Sequence, residues 1–75
     1  MTREQAQIII ALADSDLVIA KAAKLVPCHY NTIMYHTRKI IDERGLDIRN
    51  YYDISKLLPE ARAVLAGEEK ADGIE

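Results

Sequence analysis

The sequence holds one cysteine and two histidines, the residue types most typical of zinc sites and thiol catalysis, namely Cys28, His29 and His36. The two histidines are seven positions apart, and no second cysteine or acidic ligand stands at a zinc-like spacing from them. A cysteine nucleophile needs a base that a third group orients, and the sequence offers no such set. We therefore predict no metal site, no cofactor and no enzymatic activity. Cys28 is expected to act as a small buried hydrophobic residue.

A larger set of polar and aromatic side chains, between positions 29 and 39, suits contact with DNA. Asn31 can pair with adenine through two hydrogen bonds, and a Tyr or Met side chain can press against thymine methyl groups. Arg38 and Lys39 can hold phosphates, although a solvated helix end explains Lys39 equally well. The Thr32 side chain suits two roles equally well, a contact to a phosphate or a hydrogen bond within the first turn of the helix. The predicted DNA-binding residues are His29, Tyr30, Asn31, Thr32, Met34, Tyr35, Arg38 and Lys39.

Capping residues and a proline delimit two helices before this segment. Thr2 followed by Gln5 is a capping-box pattern, which predicts a first helix that runs to about Ala13. After a short polar break, Ser15 or Asp16 is expected to cap a second helix from about 17 to 26, which Pro27 ends. The expected buried side of the second helix consists of Leu17, Ala20, Ala23 and Val26.

A third helix is predicted from about Tyr30 to Arg44, with His29 at its cap position and Gly45 as a left-handed stop. Its apolar stripe repeats at helical spacing, which predicts the side that faces the core. The stripe consists of Ile33, Thr37, Ile40 and Ile41.

A fourth helix is predicted from about Tyr51 to Ala66, with Asn50 as its cap. Pro59 lies inside it and removes one internal hydrogen bond. The segment is therefore either one kinked helix or two shorter helices with a bend near Leu58.

The second and third helices, joined by a tight turn, have the form of a helix-turn-helix. Ala23 is small enough to let the two helices touch, Cys28 fills the turn, and Ile33 anchors the third helix to the second. The sequence thus predicts an all-α fold, a small domain of four helices containing a helix-turn-helix. This domain covers residues 1–66, and residues 67–75 are expected to form a disordered acidic tail.

The net charge of −2 disfavours nucleic acid at first sight, because phosphate contact favours a basic surface. The charges are unevenly distributed, however. Residues 17–45 hold five basic and two acidic residues, a net charge of +3, whereas the tail from Gly67 holds four acidic residues and one basic residue, a net charge of −3. The positive charge therefore coincides with the predicted helix-turn-helix.

The segment from His29 to Asp47 resembles the C-terminal helix-turn-helix domain of PucR-type transcriptional regulators. The pattern of that family is close to His-x-Asn-Thr-Leu-x-Tyr-Arg-Leu, followed by an apolar position and then Gly-Leu-Asp. Two residues depart from it: His36 replaces an Arg expected beside the DNA, and Thr37 replaces a Leu. The resemblance extends over about 17–65 and implies DNA binding by a free-standing copy of the domain. The matching positions are His29, Asn31, Thr32, Ile33, Tyr35, Ile40, Gly45, Leu46 and Asp47.

Together these features predict a sequence-specific protein that binds double-stranded DNA and regulates transcription, with the third helix in the major groove. A homodimer is expected from the apolar content of residues 54–65 in so small a chain. The sequence has a single cysteine and shows neither a secretory leader nor an apolar run of about 20 residues that could span a membrane. These features predict a cytoplasmic protein that is not in the membrane. The alternative is a protein-interaction module that uses the same fold without tight DNA binding.

Overall fold

The computed structural model describes residues 1–26 and 28–67, and these form four helices without a strand. The helices are α1 (Arg3–Asp14), α2 (Ile19–Leu25), α3 (Tyr30–Arg44) and α4 (Tyr51–Ala66). The predicted all-α class is confirmed. No helix in the described ranges is long and apolar enough to cross a bilayer. The expectations for Pro27 and for the acidic tail after Gly67 lie outside the described residues.

Local capping explains where three of the helices begin. At α1 the full capping box is present, because the Thr2 hydroxyl accepts from the Gln5 backbone N–H and the Gln5 side chain accepts from the Thr2 N–H, both at 3.1 Å. Nδ1 of His29 accepts from the Asn31 N–H at the start of α3. The Asn50 side chain accepts from two backbone N–H groups at the start of α4. The predicted caps and bounds of these helices are confirmed.

The predicted start of the second helix is wrong. Neither Ser15 nor Asp16 caps it; Ser15 is the C-cap of α1, and α2 begins two residues later than expected, after Val18. The Leu17 N–H donates back to the Leu12 carbonyl at 2.8 Å, and Asp16 has a φ of 54°. This six-residue closure with a left-handed residue is the way many helices end, although glycine is more usual there. Residues 15–17 therefore terminate α1, although they were expected to begin α2.

The core lies mainly between α1 and α4, which pack against each other, while α2 packs on both α1 and α3. Ala20, expected on the buried side of α2, is exposed, and Ala22 is the fully buried residue of that helix. The expectation for Ala20 is therefore wrong, whereas Leu17, Ala23 and Val26 pack against the core as predicted. The largest side chains buried in the core are Ile8, Ile9, Leu12, Ile33, Ile48, Ile54 and Val64.

The last helix is continuous through its proline. α4 runs from Tyr51 to Ala66 with Pro59 inside it, so the alternative of two shorter helices is wrong. Pro59 itself is exposed, which places the missing N–H on the solvent side of the helix. An ion pair joins α4 to the end of α3: both terminal nitrogens of Arg44 donate to the Glu60 carboxylate at 2.7 Å.

Candidate nucleic-acid interface

The packing of α3 decides which of its side chains face solvent. Ile33, Thr37 and Ile40 are buried, and the Thr37 hydroxyl donates to the Ile33 carbonyl at 2.8 Å instead of pointing outward. This hydrogen bond satisfies the buried Thr37 hydroxyl at a cost of only slight helix distortion. The opposite face of the helix is left exposed, because α-helical side chains three and four positions apart share a side.

Six of the eight predicted DNA-binding residues lie together on that exposed face. They line a shallow open concavity of about 640 Å³, together with one residue that was not predicted, Asp42. We call this surface the α3 front. It consists of Tyr30, Asn31, Met34, Tyr35, Arg38, Lys39 and Asp42.

The other two predicted residues lie at the start of α3 and do not line the concavity. His29 is exposed, and its Nδ1 accepts from the Asn31 N–H at 3.1 Å, so it positions the first turn of the helix. Thr32 is half-buried, and its N–H donates to the His29 carbonyl at 2.9 Å. The structure therefore places His29 as a cap and Thr32 at the edge of the front.

The front contains two cations and one anion. Arg38 is exposed and has no ion pair among the described residues, so its guanidinium is available to a ligand. Nζ of Lys39 lies 5.8 Å from the centroid of the Tyr35 ring, a cation–π contact that holds both side chains on the surface. Asp42 adds a negative charge to the same concavity. The local excess of positive charge is therefore small.

The linker after α3 holds one more cation, Arg49, which lies outside the α3 front. Its guanidinium donates to the carboxylate of Asp47 at 2.8 and 2.9 Å, which lowers the pKa of Asp47. Arg49 is therefore engaged by Asp47 and adds no charge to the front.

His36, at the position where the PucR-type pattern has an Arg, is buried. Its side chain is 11% exposed, and Nε2 lies 2.9 Å from Oε1 of Glu4 on α1. This position lies on the inner stripe between Ile33 and Ile40. Helical periodicity could have placed His36 inside the fold, but no sequence signal links it to Glu4.

The third group with possible reactivity, Cys28, is half-buried and packs against the core. Burial, with a smaller contribution from the negative charge of Glu4, raises the pKa of the Cys28 thiol. A raised pKa keeps the thiol protonated near neutral pH and makes it a poor nucleophile. No group of three potential metal ligands occurs within residues 1–26 and 28–67.

The α3 front thus offers an amide, two phenols, a thioether and two cations on one helix face, which are groups that can contact base edges and phosphates. Comparison of the chain with protein-family models, curated proteins and solved structures finds no match. The chemistry of this surface is therefore what bears on function.

Proposed function

We propose that this chain is a sequence-specific protein that binds double-stranded DNA and regulates transcription, with α3 as its recognition helix. The observation that carries the proposal is the segregation of α3 into two faces. One face is sealed in the core by Ile33 and Ile40, and the other presents the α3 front to solvent. A helix anchored in this way can enter a major groove without uncovering the core.

Residues at different points along α3 would make different contacts with DNA. Asn31, Tyr30 and Met34 lie in its first turns, where a recognition helix meets base edges, and Asn31 has the donor and acceptor that adenine requires. Arg38 and Lys39 lie one to two turns later and would hold phosphates. The hydroxyl of Tyr35 would reach the backbone between these two groups. His29 and Thr32 support the first turn from the edge of the front.

The resemblance of positions 29–47 to PucR-type regulators is part of the same proposal. So are a cytoplasmic location and a homodimer that reads two half-sites. The buried residues of α4 contribute little to a dimer, since Ile54, Leu57, Ala61 and Val64 already pack inside the single chain. A dimer therefore requires another surface.

Selection of bound duplexes from a random DNA pool tests the proposal. The expected result is enrichment of a defined site whose affinity falls as salt is raised, because phosphate contacts release counterions. Arg38→Ala is expected to lower the dependence of affinity on salt by about one phosphate contact. Lys56→Ala, an exposed cation on α4 away from the front, serves as the control. Recovery of random sequences with no salt-sensitive affinity would rule the proposal out.

A protein-interaction module is the second candidate, and the charges of the fold favour it. Arg44, one of the five basic residues of segment 17–45, is neutralised by Glu60, and Asp42 lies within the front itself. A surface with this mixed charge also suits a protein partner. Capture of one defined protein by the wild type, lost in Tyr35→Ala and accompanied by no affinity for duplex DNA, would support this candidate over the first.

A further inference from the structure

A second concave surface lies between the C-terminal end of α1 and the outer side of α4. Its volume is about 460 Å³, and half-buried apolar side chains from both helices and from the turn after α1 line it, including Ala13, Leu17 and Leu58. Tyr51 also lines it, with 67% of its surface exposed. We call this surface the α1–α4 groove. It shares no residue with the α3 front.

Opposite charges flank the apolar part of the groove. Asp14 and Asp16 come from α1 and the turn that follows it, and Arg62 comes from α4. In the part of the chain that the structure describes, none of these three side chains has an ion-pair partner. Their charges are therefore available to a partner that docks on the groove.

We propose that a second copy of this chain docks on the α1–α4 groove, so that the protein is a two-fold symmetric homodimer. In a two-fold interface the same surface is used by both copies, so a contact between two positions occurs twice. A groove with carboxylates on one side and a guanidinium on the other is complementary to itself in this arrangement. Arg62 of each copy meets Asp14 and Asp16 of the other, and the apolar residues meet across the axis.

The charge pattern argues against a nucleic acid as the occupant of the groove. Two carboxylates beside a single guanidinium would repel phosphates. The aromatic ring of Tyr51 beside an apolar floor is typical instead of the centre of a protein interface. Because the groove and the α3 front are separate, both recognition helices stay free in the dimer. The use of the dimer on paired half-sites rests on the proposed function, whereas the dimer itself is measured without DNA.

Sedimentation equilibrium of Asp14→Arg and Arg62→Glu, separately and mixed, tests the proposal. In the dimer of either variant alone, both contacts between positions 14 and 62 join like charges, so its dimer dissociation constant is expected to rise about tenfold or more over wild type. In the mixed dimer both contacts between positions 14 and 62 pair opposite charges. Mixing the two variants in equal amounts is therefore expected to restore association to within about threefold of wild type. Circular dichroism melting of each variant shows that it is folded.

Two adjacent tyrosines provide a matched pair for the apolar contact. Tyr51 lines the groove, whereas Tyr52, which is 74% exposed, does not. Tyr51→Ser is expected to weaken the dimer about tenfold, and Tyr52→Ser is expected to leave it within about twofold of wild type. A wild-type chain that is monomeric at high micromolar concentration would overturn the proposal. So would a dimer that the charge variants do not weaken or that mixing does not restore.

Discussion

Nε2 of His36 lies 2.9 Å from Oε1 of Glu4, which joins α3 to α1 across 32 positions of sequence. The histidine side chain is 11% exposed and the glutamate side chain 53% exposed, so the contact closes one edge of the core. The ring of Tyr35 meets the His36 ring edge-on at 5.1 Å between centroids. The contact between His36 and Glu4 therefore helps to fix the α3 front relative to the rest of the fold.

Removing the carboxylate should destabilise the fold more than the loss of an exposed charge would. Glu4→Ala leaves Nε2 of the buried His36 without its partner, and we expect the free energy of unfolding to fall by about 1–2 kcal/mol in urea titrations. Glu43→Ala is the control, since Glu43 is exposed on α3 and has no ion pair among the described residues. Equal effects of the two substitutions would show that the contact contributes nothing.

Replacing the histidine tests the same contact from the other side. Nδ1 of His36 is buried without a hydrogen-bond partner in the described part of the chain. His36→Leu removes this unsatisfied group together with the bonded one, so its cost should be smaller than that of Glu4→Ala, about 1 kcal/mol or less. Urea titrations of both variants under one set of conditions make the comparison. A larger loss for His36→Leu would contradict it.

The ion pair between Arg44 and Glu60 predicts how stability depends on pH. Hydrogen bonds from Arg44, followed by its charge and by the α-amino group of Met1, lower the pKa of Glu60 from 4.5 to about 2, although burial opposes them. A pKa that is lower in the folded state than in the unfolded state stabilises the folded state at pH values above the unfolded pKa. This stabilisation is lost as pH falls from about 4.5 to about 2. The contribution is on the order of 3 kcal/mol.

Glu60→Gln should remove this part of the pH dependence. We expect the free energy of unfolding of the variant to be lower than that of wild type at pH 7 and to approach it near pH 2, as measured by urea titration at several pH values. Glu43→Gln should follow the wild-type curve. A Glu60→Gln curve parallel to wild type between pH 5 and pH 2 would show that the pair does not lower the pKa of Glu60.

Asp42 is the anion within the α3 front, and its replacement should strengthen DNA binding, whereas the other substitutions in the front should weaken it. Asp42→Asn removes a negative charge that would face phosphates, so we expect DNA to bind about threefold to tenfold more tightly in fluorescence anisotropy titrations. Glu43→Gln, one position further along α3 and outside the front, is the matched control and should change affinity less. If both substitutions tighten binding equally, only net charge matters and the front has no special role.

The sequence predicted those parts of the fold that local contacts decide. The caps Thr2, His29 and Asn50 act within three residues, so the starts of α1, α3 and α4 could be read from the sequence. The α3 front followed from the helical periodicity of the apolar residues, because Ile33 and Ile40 turn inward and leave the other side of α3 exposed.

The start of α2 and the ties between helices could not be predicted in this way. Asp16 and Leu17 adopt positive φ without being glycine, a conformation that residue type disfavours and that tertiary packing of Leu17 supports. The contacts of Glu4 with His36 and of Arg44 with Glu60 join residues that are far apart in the sequence. Such contacts follow from how the helices pack and have no local pattern.

Binding of the selected duplex by Asn31→Ala, measured by fluorescence anisotropy beside wild type, tests the central claim most directly. If Asn31 reads an adenine from the α3 front, the variant should lose about 1–3 kcal/mol of affinity for the selected site and little affinity for a random duplex. Gln7→Ala, which removes an exposed amide from α1, should bind both duplexes as wild type does. An Asn31→Ala variant that keeps full affinity and specificity for the selected site would contradict the account.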